Sequence, residues 1–74
     1  MNKIIVKDYT DNSKAFYFGK VLLGVAIRLE DGFYHFKFSD NDGYLSAYTL
    51  RWIAESLDEL NKEWSDYIDK NPPR

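Results

Sequence analysis

The chain has 74 residues, with ten Lys or Arg, twelve Asp or Glu, one His and no Cys, for a net charge of −2. The lack of cysteine excludes disulfides and thiolate metal sites, and a single histidine, His35, leaves no imidazole set for zinc. Residues 1–49 carry six basic and six acidic side chains and residues 50–74 four and six, too balanced for a polyanion that mimics DNA and too acidic for duplex binding by bulk charge.

This length predicts one α+β domain over residues 1–70 with a short tail at 71–74. A chain of this size buries only about 60% of its unfolded surface. With neither disulfide nor metal to help, self-association is the remaining route to more burial, so a homo-oligomer, most simply a homodimer, is expected. Two Trp, six Tyr and five Phe point the same way, because each can bury about 150–250 Å² and one helix–sheet contact does not need them all. The N-terminal MNKIIVKDYT lacks the apolar run of a signal peptide, and no stretch is apolar enough to span a membrane. The expected compartment is the cytoplasm, with no membrane and no cofactor implied.

Taken in chain order, residues 3–7 read as a strand, with Ile4 and Val6 on one face and Lys3, Ile5 and Lys7 on the other. Residues 8–14, DYTDNSK, are turn-formers and read as a loop. Residues 15–18, AFYF, are strand-like, and Gly19 or Gly24 marks a bend or bulge on the way to Leu29; one bent strand or two fits equally well. Asp31-Gly32 suits a two-residue type I′ hairpin. That register pairs Leu29 with Tyr34, Ile27 with Phe36 and Val25 with Phe38 on an apolar face. It pairs Arg28 with His35, Ala26 with Lys37 and Gly24 with Ser39 on a mixed one.

Residues 39–43, SDNDG, read as the next turn, after which Tyr44 and Leu45 can add a short strand. Ser46 is a helix N-cap, with Leu45 and Leu50 at the spacing of a hydrophobic staple. The helix is predicted from Ala47 to Asp69 or Lys70, stopped by Asn71-Pro72-Pro73. Leu50, Ile53, Leu57, Leu60, Trp64 and Tyr67, widened by Ala54 and Ile68, form the stripe expected to pack on a three- or four-stranded antiparallel sheet.

Motifs with chemistry are few. Asp40-Asn41-Asp42-Gly43 has the look of a calcium loop. Aligning its glycine with that of an EF-hand puts Phe38 and Thr49 where the terminal carboxylates belong, so a polar turn explains it better and no metal site is predicted. Glu55, Asp58, Glu59, Glu63, Asp66 and Asp69 lie beside or opposite the apolar stripe and read as a solvated face rather than an acid–base pair in a cleft. A nucleophile–base pair would have to use His35, and the chain has no G-x-S-x-G, P-loop or dinucleotide fingerprint. No catalytic residue is assigned and no enzymatic activity is expected.

Two surfaces invite a partner. Tyr48 and Trp52 fall roughly 90° or more from the stripe centre on a helical wheel, among Glu55 and Glu59. An aromatic anchor inside an acidic rim suits a protein contact, unless the N-terminal segment or AFYF folds over the rings. Alternatively Arg28, Phe33, His35 and Lys37, which Phe16, Phe18 and Lys20 could extend, are basic and aromatic side chains on an open sheet that could hold a nucleotide or single-stranded nucleic acid, or simply be ordinary strand surface or a homodimer contact.

Residues 44–64 carry an aromatic and a small residue, then Leu50-Arg51-x-Ile53-Ala54, then Leu57-Asp58-Glu59-Leu60-Asn61 and Trp64. This segment resembles one in short accessory proteins of bacteriophages and prophages. The resemblance implies a setting, a phage-encoded binder that engages or inhibits a host or defence protein inside the bacterial cell, and assigns no residue. The expectation is therefore a non-enzymatic binding protein using Tyr48, Trp52, Glu55 and Glu59. The alternatives are the nucleic-acid surface and a self-assembling structural protein.

Overall fold

Alternation of apolar with polar side chains through the first half, and a three-to-four spacing through the second, build a sheet followed by a helix. The computed structural model describes residues 2–39 and 44–71, so the Asp40–Gly43 turn and the end of the tail lie outside the described residues. The elements are β1 (Ile4–Thr10), β2 (Ser13–Phe18), β3 (Val21–Arg28), β4 (Tyr34–Phe38) and α1 (Ala47–Lys70). The strands form one antiparallel sheet in the order β1-β2-β3-β4, and α1 covers one face, giving the expected two-layer α+β architecture with four strands.

Most of the segment read as a loop is strand. β1 runs to Thr10, leaving only Asp11 and Asn12 between it and β2. A register shift between Asp8 and Thr10 absorbs Tyr9. Polar strand residues are tolerated because β1 is an edge. The turn is held by hydrogen bonds of Thr10 Oγ1 to Asn12 and Ser13, and by the Arg28 amide donating to Asn12 O at 2.9 Å. Residues 15–29 are two strands, not one. Gly19 takes φ +62° in the Gly19-Lys20 turn, which an L side chain rarely adopts. Farther along, Phe16 faces Gly24 and Tyr17 faces Leu22, so Leu23 is the extra residue of a bulge and joins the core beside Phe16.

The β3–β4 hairpin slips by one residue from the expected pairing. Leu29 N–H donates to Phe33 O at 3.0 Å and Gly32 N–H to Leu29 O at 2.9 Å, so the loop is the three residues Glu30, Asp31 and Gly32, with Gly32 at φ +86°. Arg28 therefore pairs with Tyr34, Ile27 with His35, Ala26 with Phe36 and Val25 with Lys37. A one-residue slip exchanges the faces. Val25 and Ile27 turn away from α1, while Gly24 and Ala26 turn towards it. Ring volume decides this register. Phe16 and Phe36 tilt against each other at 5.2 Å on the inner face, and Ala26 between them is fully buried. A Cβ at Gly24 would lie 2.3 Å from Lys37 O and 2.6 Å from the Phe36 ring. Larger side chains at Gly24 could not share that face with the Phe36 ring.

The helix has the predicted bounds and cap, with Ser46 Oγ accepting the Thr49 amide at 3.1 Å and Asn71 at the C-cap. No strand forms at Tyr44-Leu45. Its buried line is rotated from the expected stripe. Ile53 and Ser56 are buried and Leu57, Leu60 and Trp64 half-buried, whereas Leu50, Ala54 and Tyr67 are exposed. Polar anchors at both sheet edges set this rotation. Asn2 Nδ2 donates to Trp52 O and Ser56 Oγ, both at 3.1 Å, on the β1 side. On the β4 side the Asn61 carboxamide accepts the Tyr34 amide at 2.7 Å and donates to Tyr34 O at 3.2 Å, standing in for a neighbouring strand.

Candidate functional site

The β2–β3 turn and the start of α1 meet at one end of the molecule. β2 and β3 deliver Phe18 and Val21 there because the Gly19-Lys20 turn is only two residues long. The Ser46 cap starts α1 so that Thr49 and Trp52 face them. Phe18, Val21, Leu23, Tyr44, Leu45, Ser46 and Thr49 enclose an open, largely apolar pocket of about 440 Å³. From Phe18 in its wall an aromatic series runs onto α1. The Trp52 ring lies parallel to Phe18 at 6.0 Å and 6.4 Å from Tyr48, and the Arg51 guanidinium sits 5.5 Å from the Tyr48 ring centre.

Phe18 is 39% exposed, Val21 55% and Tyr48 66%, and Tyr44 is fully exposed. Trp52 is half-buried, clamped between Phe18 and the Asn2 side chain on its carbonyl. Of the anticipated covers, AFYF supplies Phe18 against the Trp52 ring, Asn2 reaches only the backbone carbonyl, and Tyr48 stays open. The hydroxyl of Ser46 is occupied by the Thr49 amide and lies 3.1 Å from Thr49 Oγ1, so the polar groups at the pocket floor are satisfied internally. What remains for a ligand is hydrophobic area and ring faces.

Of the four residues expected at a protein contact, the structure brings Tyr48 and Trp52 together. Glu55 is exposed one turn farther along α1. Glu59 lies farther on, where it lines a cleft with Asn2, Ile4, Val6, Ser56 and Leu60 beside β1. Phe18 was expected as part of AFYF over the rings or on the sheet face, whereas Val21, Tyr44 and Leu45 were not expected at a site. The available signal was Gly19-Lys20 flanked on both sides by apolar residues, which marks a hairpin end carrying unburied side chains.

The second constellation is dispersed. Arg28 lies on the helix side, its guanidinium 4.9 Å from the Tyr34 ring centre. Phe33 packs edge-on to Trp64 at 6.4 Å. His35 and Lys37 point to the opposite face of the sheet, and His35 Nε2 is 2.8 Å from Asp31 Oδ2. Asp31 organises the loop. Its Oδ1 accepts the Phe33 amide at 2.9 Å and its carbonyl accepts the Trp64 indole N–H at 2.8 Å. The Phe33 amide first, then His35, holds the Asp31 carboxyl below its usual range. Among the described residues no hydroxyl hydrogen-bonds to the His35 ring, and no three His, Asp or Glu side chains converge in a way that would hold a metal ion.

No protein family, curated protein or solved structure matches this chain. The site is therefore read from its own chemistry. No helix among the described residues is long and apolar enough to cross a membrane.

Proposed function

We propose that this chain is a non-enzymatic binding module that engages a partner protein through its aromatic end. The observation that supports it is the Phe18–Trp52–Tyr48 ring series, whose Phe18 also lines an apolar pocket. Trp and Tyr lead the residues that dominate binding energy, and such anchors work best when held rigid before the partner arrives. Phe18 and Asn2 hold Trp52 in this way. The partner presents an apolar side chain to the pocket and packs against the Tyr48 ring. If the setting implied by residues 44–64 holds, that partner is a host or defence protein, but the surface does not depend on it.

A photo-crosslinking residue placed at Tyr48, with a control at exposed Lys62 on the same helix, tests the proposal in cells that express the chain. The expected result is one discrete protein adduct from position 48, absent from position 62 and abolished by Val21→Asp. No adduct, or equal adducts from both positions, would remove this surface as the contact.

A further inference from the structure

An antiparallel sheet with one face in water usually shows polar side chains there. The face turned away from α1 carries Lys7, His35 and Lys37 but sets them around exposed apolar side chains. Ile5 and Leu22 on it are 45% and 37% exposed, and Val25 and Ile27 are half-buried with no element of the described residues packed over them. Its strand positions carry no carboxylate, in contrast to the acidic exposed side of α1. One cross-strand row is especially ordered: Lys7 pairs with Ala15, Ala15 with Val25, and Val25 with Lys37. A lysine therefore stands on each edge strand with a low apolar floor between them. Along β3 that floor continues through Ile27 into a groove of about 460 Å³ walled by Tyr9 and Phe38.

From this placement we infer a second docking surface that receives an acidic amphipathic helix of a partner protein, laid along β2 and β3 with its apolar face on Val25 and Ile27 and carboxylates on both flanks meeting Lys7 and Lys37. The dimensions agree. The two edge strands are three strand spacings apart, about 14 Å, and an α-helix with its side chains is about 10–12 Å across. Charge chooses the occupant. A second copy docked face to face would oppose lysine rows of the same sign. A single-stranded nucleic acid would want a series of open aromatic planes for its bases; the row between the lysines is Ala15 and Val25, the Tyr17 ring beside it is taken by the Lys7 ammonium at 5.5 Å, and Tyr9 stands alone at the groove wall.

The test uses the intact chain and three fluorescent probes: an amphipathic peptide with leucine on one face and glutamate flanks, the same peptide with lysine flanks, and a short oligothymidine. The glutamate peptide is expected to bind saturably and more weakly as salt is raised, shifting the amide resonances of Val25 and Ile27. The double variant Lys7→Glu, Lys37→Glu, with its circular dichroism unchanged, should weaken binding by about tenfold or more, equivalent to about 1.4 kcal/mol. Tyr48→Ala should leave it unaltered, which separates this surface from the aromatic end. The inference is overturned by absent binding, equal binding of the lysine peptide, tighter binding of oligothymidine, insensitivity to the charge reversal, or self-association that the peptide does not displace.

Discussion

Replacing Gly32 by alanine tests how the β3–β4 loop and α1 are locked together. Gly32 sits at φ +86°, and a Cβ there would lie 2.4 Å from both Cε2 and Nε1 of Trp64. Two costs follow. A left-handed backbone for an L residue costs about 1–2 kcal/mol. The indole must also retreat, straining its 2.8 Å hydrogen bond to Asp31 O, a bond worth about 0.5–1.5 kcal/mol net. Together these predict a loss of about 1.5–3.5 kcal/mol, a large share of the stability of a domain this small. Urea unfolding followed by far-ultraviolet circular dichroism measures it. The same substitution in a Trp64→Leu background should cost only the backbone part, because the obstructing ring is gone. A loss below about 0.5 kcal/mol, or the same loss in both backgrounds, would refute the lock between loop and helix.

Asn61→Ala removes both partners of the Tyr34 backbone and should cost about 1–3 kcal/mol in urea unfolding. It should also raise light scattering near the midpoint, since it uncovers the β4 edge; unchanged scattering and stability would show that the edge needs no cap. Asp31 predicts an acid limb. Its folded pKa lies below the usual 3.8, so its contribution is present above that value and lost as pH falls through the lower folded one. Asp31→Asn should flatten the decline in urea midpoint below about pH 4, and parallel declines in both proteins would remove the carboxylate from the explanation.

The helix was the most legible element. Its cap at Ser46, its end at Asn71 and its apolar periodicity are all local, and local chemistry is what a sequence displays. The sheet was legible in kind but not in register. Asp31-Gly32 marked the right turn, but loops of two and three residues both accept a glycine there. The choice fell to Trp64, 32 positions along the chain from Gly32, packing on its Cα. Polar β1 residues read as loop because alternation is weak where both faces of an edge strand meet solvent.

The candidate site was half legible. Trp52 and Tyr48 stood out as large aromatics away from the stripe, and Tyr48 is indeed exposed. Phe18 was legible only as a member of AFYF, and Val21 was invisible as a site residue, because nothing local says that a hairpin end will arrive beside a helix N-terminus.

What the sequence by itself determined is the class of the elements: an antiparallel sheet of three or four strands, a turn at Asp31-Gly32, and a capped helix from Ala47 to about Lys70. What only the tertiary structure decided is which side of each element faces inward. A one-residue slip places Val25 and Ile27 outside, and a rotation fixed by Asn2 and Asn61 buries Ser56 while exposing Leu50. The physical reason is that a residue's own chemistry sets its preferred backbone, whereas its burial depends on the volume and hydrogen-bonding groups of neighbours far away in the chain.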